Sequence, residues 1–139
     1  MLPLIIGILG TVILVLWTGY FILGGTPLLL LRYKVPNDAR FVRGFLDVYY
    51  VTMAAAGFVS ALGYAGAARF EFAFGMALIA GFAVVARRLA IPRMDALRPV
   101  VNTGDAAAIS NFRRIHIHVA VLNVVLFCAV VWSTTKISI

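Results

Sequence analysis

The chain has 139 residues, of which 63% are hydrophobic and 12% charged, whereas soluble domains run at about half apolar and a quarter charged. This excludes an ordinary water-soluble domain and leaves one membrane domain, because each crossing consumes about 20 residues and the chain has room for three or four. The formal charge of +7 would point to nucleic acid in a soluble protein, but the cations fall in two clusters that flank apolar runs. That is a pattern of membrane topology and of contact with anionic lipid headgroups, not of nucleic-acid binding.

From Met1 to Leu31 no residue is charged, and the run stops at Arg32, Tyr33 and Lys34. This predicts a first span over 4–31. It lacks the basic start and the small-residue cleavage site of a secretory leader, so it reads as retained. Gly24, Gly25, Thr26 and Pro27 are expected to kink or loosen its end, since proline lacks an amide hydrogen and crowds the preceding turn. Pro36, Asn37 and Asp38 then form a helix start, with Asn37 as cap and Asp38 at the positive end of the dipole.

The second helix is expected to run to about Ala68, crossing the membrane over 46–68 after headgroup-level turns that carry Arg40, Arg43 and Asp47. Its small residues, among them Gly57, Ala61 and Gly63, form faces on which helix backbones approach closely in lipid. A very short turn at Arg69 and Glu71 leads to a third span over 70–86, making a hairpin. Arg87, Arg88 and Arg93 end that span, and Pro92 and Pro99 are expected to interrupt a following loop, with a short surface helix near Met94 and Leu97. Thr103, Gly104 and Asp105 open the last helix near Ala106, which crosses the membrane over 115–134.

Ten Lys and Arg lie in the first and third connections and two, Arg69 and Lys136, on the opposite side. The positive-inside rule therefore places both large connections in the cytoplasm and both termini outside it. The expected fold is all-α: a single integral four-helix membrane bundle over residues 1–139, multi-pass, in a bacterial cytoplasmic (inner) membrane. Cys128 is the single cysteine and lies within an apolar run, so no intrachain disulfide forms.

The segment Phe112-Arg113-Arg114-Ile115-His116-Ile117-His118, followed by Asn123, carries the most chemistry, because histidine and asparagine are costly in hydrocarbon and face protein or water there. His116 and Asn123 are seven apart and share a helix face. His118 lies roughly 200° around the helix from His116, so the two histidines do not ligate one metal, and no metal site or bis-histidine haem within the chain is expected. Two readings stand side by side. In one, His116 and Asn123, with Asp47 or a tyrosine of the second helix and with Arg113 nearby, line a ligand pocket that opens to the cytoplasmic side. In the other, His116 bonds a headgroup or loop carbonyl and Asn123 ties helices together, while Asp47, Tyr49 and Tyr50 meet Arg113 or Arg114 as a clamp. A third reading has His116 ligating a pigment or haem held by a partner chain. No catalytic triad, phosphate loop or dinucleotide fingerprint is present, and the residues indicate no particular cofactor.

The run Pro92-Arg93-Met94-Asp95-Ala96-Leu97-Arg98, then Asp105, Phe112 to His116 and Asn123, resembles small four-helix membrane families of unknown function. In those families a proline-led loop precedes an F-x-x-L/I-H approach to the last helix. Trp17-Thr18-Gly19 to Pro27 is similar to their first helix. The basic, histidine-containing approach to the last helix also resembles the anthrone-oxygenase-like membrane family. The resemblance implies a compact four-helix bundle with His116 as the matching histidine, and it implies nothing about activity. The expectation is a non-catalytic membrane protein, an accessory or assembly subunit of a larger complex or a self-associating one, in contact with membrane lipids. The alternative is a small membrane enzyme or transporter built on the His116 pocket.

Overall fold

The computed structural model describes residues 1–33 and 36–135; Lys34 and Lys136, which enter the charge count above, lie outside the described residues. Four helices follow one another: α1 (Leu2–Leu28), α2 (Pro36–Gly66), α3 (Phe70–Val101) and α4 (Ala106–Thr134). Each is long and apolar enough to cross a membrane, and no strand occurs among the described residues. The protein is a multi-pass integral membrane protein, with four such helices among the described residues.

The boundaries follow local chemistry. Pro3 occupies the first turn of α1, where its missing amide hydrogen costs nothing. Pro27 sits in the last turn, and the Thr26 hydroxyl donates to the Ile22 carbonyl oxygen at 2.6 Å. α2 closes through Ala68, whose φ of 57° is left-handed, and the Arg69 amide reaches back to the Tyr64 carbonyl at 2.9 Å. That is the geometry by which helices satisfy their last carbonyls. α4 starts where the sequence expects it: Gly104 takes φ 83°, and the Asp105 carboxylate accepts the Ala108 amide at 2.8 Å as an N-cap.

The sequence expectation fails at one connection. α3 does not end near Ala86 but continues through Pro92 and Pro99 to Val101, so neither the interrupted loop nor a separate surface helix exists. A proline inside a helix costs about 3 kcal/mol. Here tertiary contacts offset that cost: Ala90, Ile91, Met94 and Val101 are all buried, and Arg43 of α2 grips Asp95 through two hydrogen bonds of 3.0 and 2.9 Å.

The helices pack in cyclic order. α2 lies closely along both α1 and α3, while α4 meets α1 and α3 over shorter stretches and stands diagonally across from α2. Small residues allow the close contacts. A Cβ on Gly63 would collide with the Gly7 backbone of α1, and one on Gly57 would come within 3.2 Å of the Ala80 backbone of α3. Ala61, between them in sequence, is buried as well. Tyr64 lies over Gly7, and its hydroxyl is 3.0 Å from that of Thr11.

Both basic connections meet at one end of the bundle. There Asp47 binds Arg43 at 3.3 Å and Arg87 at 2.7 Å. Arg113 of α4 donates to the Leu31 carbonyl oxygen at 2.9 Å and stands 5.9 Å over the Tyr33 ring. Tyr33 is itself buried edge-on against Phe112, and burial raises its phenol above its ordinary pKa, so it stays protonated. The ring plugs the gap between the end of α1 and the start of α4.

Candidate ligand site in the membrane interior

Polar side chains inside the bundle are concentrated where α4 faces α2. His116 and Asn123 of α4, Tyr49 and Tyr50 of α2 and Thr18 of α1 are all buried. The Tyr49 hydroxyl donates to the Asn123 Oδ1 at 3.2 Å and lies 3.4 Å from the Thr18 hydroxyl. One phenol thus bridges three helices, and it joins α2 to α4 across a diagonal that their backbones do not close. Phe21 stacks on Tyr49 with ring centroids 3.8 Å apart, which fixes the plane from which the hydroxyl projects.

The rest of the cluster is unsatisfied. Tyr50 approaches the Asn123 amide, yet its hydroxyl, the Asn123 Nδ2 and both ring nitrogens of His116 have no hydrogen-bond partner. A buried polar group left without a partner costs about 1–3 kcal/mol. In a bilayer no bulk water enters to relieve it.

α4 is the loosest member of the bundle, and a cleft opens to the lipid side along each of its edges. The cleft between α1 and α4 holds about 300 Å3 and is lined by Phe21, Ile22, Gly25, Thr26 and Leu29 against His116, Ala120, Val121, Val124 and Val125. The cleft between α3 and α4 holds about 400 Å3 and has Tyr50 in its wall. Among the described residues His116 is the one titratable side chain lining the first cleft.

The structure brings together two of the four expected pocket residues. His116 and Asn123 lie on the inner face of α4 within one polar zone. Asp47 and Arg113 are engaged elsewhere, Asp47 in its ion pairs with Arg43 and Arg87 and Arg113 at the loop carbonyl. The expected clamp between Asp47 and Arg113 or Arg114 is therefore replaced by one that ties α2 to α3. Tyr50 enters the site from the membrane interior, not from the interface. Thr18 was missed by sequence reasoning; its signal was a hydroxyl in an otherwise apolar, charge-free span. Among the described residues no group of three or more His, Cys, Asp and Glu side chains is placed to hold a metal ion. In comparisons with protein-family models, curated proteins and solved structures, the chain matches none of them.

Proposed function

We propose that this protein is a membrane-embedded binding module for a neutral amphiphile that enters the α1–α4 cleft sideways from the lipid and places its hydrogen-bonding head on His116. The observation that carries this reading is a fully buried imidazole, both of whose nitrogens lack partners, in the wall of a lipid-facing cleft. Water is a poor alternative partner there, because a buried water needs two to four polar neighbours. Among the described residues, the one side-chain hydroxyl lining the cleft, that of Thr26, is already committed to a backbone carbonyl. Among the described residues no charged side chain lines this cleft, so an ionic head would lie there in a low-dielectric site without a counter-ion from them. A quinone or an alcohol on a prenyl or acyl chain has the required chemistry.

The test is native mass spectrometry of the protein extracted from its own membranes in mild detergent. A retained neutral lipid that is lost in His116→Leu, with the helical content intact, is the expected outcome. Equal retention by the variant overturns the reading.

A second reading, an accessory or assembly subunit of a larger membrane complex, is favoured by the outward face of α3. Ala77 and Gly81 are exposed there four residues apart, and a Cβ on Gly81 would meet open space. Such small-residue pairs accept a neighbouring helix in lipid. The same mass spectrum, showing a defined larger assembly, supports it. The charge asymmetry of ten to two supports a bacterial inner-membrane orientation with the basic end in the cytoplasm.

A further inference from the structure

The cleft on the other edge of α4 has different chemistry. Its mouth, toward the basic end, carries Arg93 of α3 and His118 of α4, and its shaft is apolar, running past Leu89 and Leu122 to Phe82, with Tyr50 in the inner wall. Three of the neighbouring arginines are occupied: Asp47 and Asp95 take up Arg43, Arg87 and Arg98. Arg93 makes no ion pair among the described residues and is exposed. The Nδ1 of His118 donates to the Arg114 carbonyl oxygen at 2.7 Å, which leaves Nε2 as the nitrogen open to a ligand. Deeper in, the Tyr50 hydroxyl is fully buried and has no partner.

We infer that the α3–α4 cleft binds one anionic diacyl phospholipid, with its phosphate on Arg93, a head-group hydroxyl on His118 and an ester carbonyl on the Tyr50 hydroxyl. The order of groups along the cleft carries this assignment. From Arg93 to Phe82 the rise is about 16 Å at 1.5 Å per residue, close to the depth of one leaflet of a hydrocarbon core about 30 Å thick. Over that depth a phospholipid presents first a phosphate, then ester carbonyls, then chains. The cleft presents first a guanidinium and an imidazole at its mouth and then aliphatic and phenyl surface, with one phenol, that of Tyr50, in its inner wall. The guanidinium suits phosphate by charge and by its fork of donors, and the phenol gains the acceptor that it lacks within the bundle. This site is independent of the His116 cleft and differs from it in selecting a charged head.

The experiment titrates delipidated protein in an uncharged detergent with phosphatidylglycerol or phosphatidylcholine of identical chains, counting bound lipid per chain by native mass spectrometry. The expected result is one phosphatidylglycerol per chain, retained at concentrations about tenfold lower than phosphatidylcholine requires. The double variant R93Q/H118Q brings phosphatidylglycerol to the phosphatidylcholine level, while R93K keeps most of the preference and shows that the cleft is intact. Y50F weakens both lipids several-fold without changing their ratio. Arg88→Gln, which removes the same charge from α3 outside the cleft, leaves retention unchanged. Phosphatidylglycerol bound as well by R93Q/H118Q as by the parent overturns the proposal. So does an equal loss in R88Q, which would mean that total charge alone governs binding, or displacement of the lipid by free glycerol phosphate, which would mean that the chains contribute nothing.

Discussion

His116 sets up the most informative test at the scale of single residues, because structure and function pull in opposite directions there. Its two unpartnered nitrogens are a cost to the ligand-free fold of about 1–3 kcal/mol each. His116→Leu is therefore expected to raise the melting temperature of ligand-free protein in detergent while abolishing retention of the neutral lipid; a large destabilisation would instead identify the imidazole as a structural partner. Tyr49→Phe removes the hydrogen bond to Asn123 and the contact with Thr18. Interhelical hydrogen bonds of this kind contribute about 0.6 kcal/mol on average in membrane proteins, so a loss of about 1 kcal/mol in reversible unfolding is expected, and an unchanged midpoint would show that the bridge holds nothing. The importance of His116 and Asn123 was legible from sequence because both stand out in an apolar run and lie seven residues apart. That Asp47 and Arg113 turn to other partners was not legible, since sequence gives each residue's depth along a helix but not the rotation of that helix against its neighbours.

Among the elements, the contacts of α2 separate glycines that matter from those that do not. At Gly63 even a methyl group would strike the Gly7 backbone, whereas at Gly81 it would meet open space. Gly63→Ala is expected to push α1 off α2 and cost about 1–3 kcal/mol. Gly81→Ala should be neutral or stabilise by up to about 1 kcal/mol through helix propensity. Thermal unfolding of the two variants checks both, and similar melting temperatures would contradict the packing described. The ion pairs between α2 and α3 are more modest: Arg43 and Asp95 are partly exposed, with side-chain exposures of 27% and 38%, so Asp95→Asn is expected to cost under about 1 kcal/mol, and less at high salt. These pairs also account for the length of α3. Reading Pro92 and Pro99 as loop markers applied a sound local rule, but the buried contacts of Ile91 and Met94 and the grip of Arg43 on Asp95 lie far away in sequence and outweigh it.

For the molecule as a whole, orientation is the first quantity to measure. With the basic end in the cytoplasm, a cysteine introduced at Thr103 is expected to resist a membrane-impermeant thiol reagent in intact cells, and one at Ala68 to react; the reverse pattern would invert the topology. Composition alone established a membrane protein, and the intervals between charge clusters established four crossings, because the cost of placing charge in hydrocarbon is large enough to override local detail. The start of α4 at Asp105 was equally legible, since capping is local chemistry. Tertiary structure alone decided that α2 packs closely on both neighbours while α4 stands off, leaving a cleft on each of its edges. It also decided that His116 faces one cleft with no partner while Tyr50 and Arg93 line the other. Hydropathy is a sum along one helix, whereas a cleft is a mismatch in shape between two, set by which small residues meet across the interface.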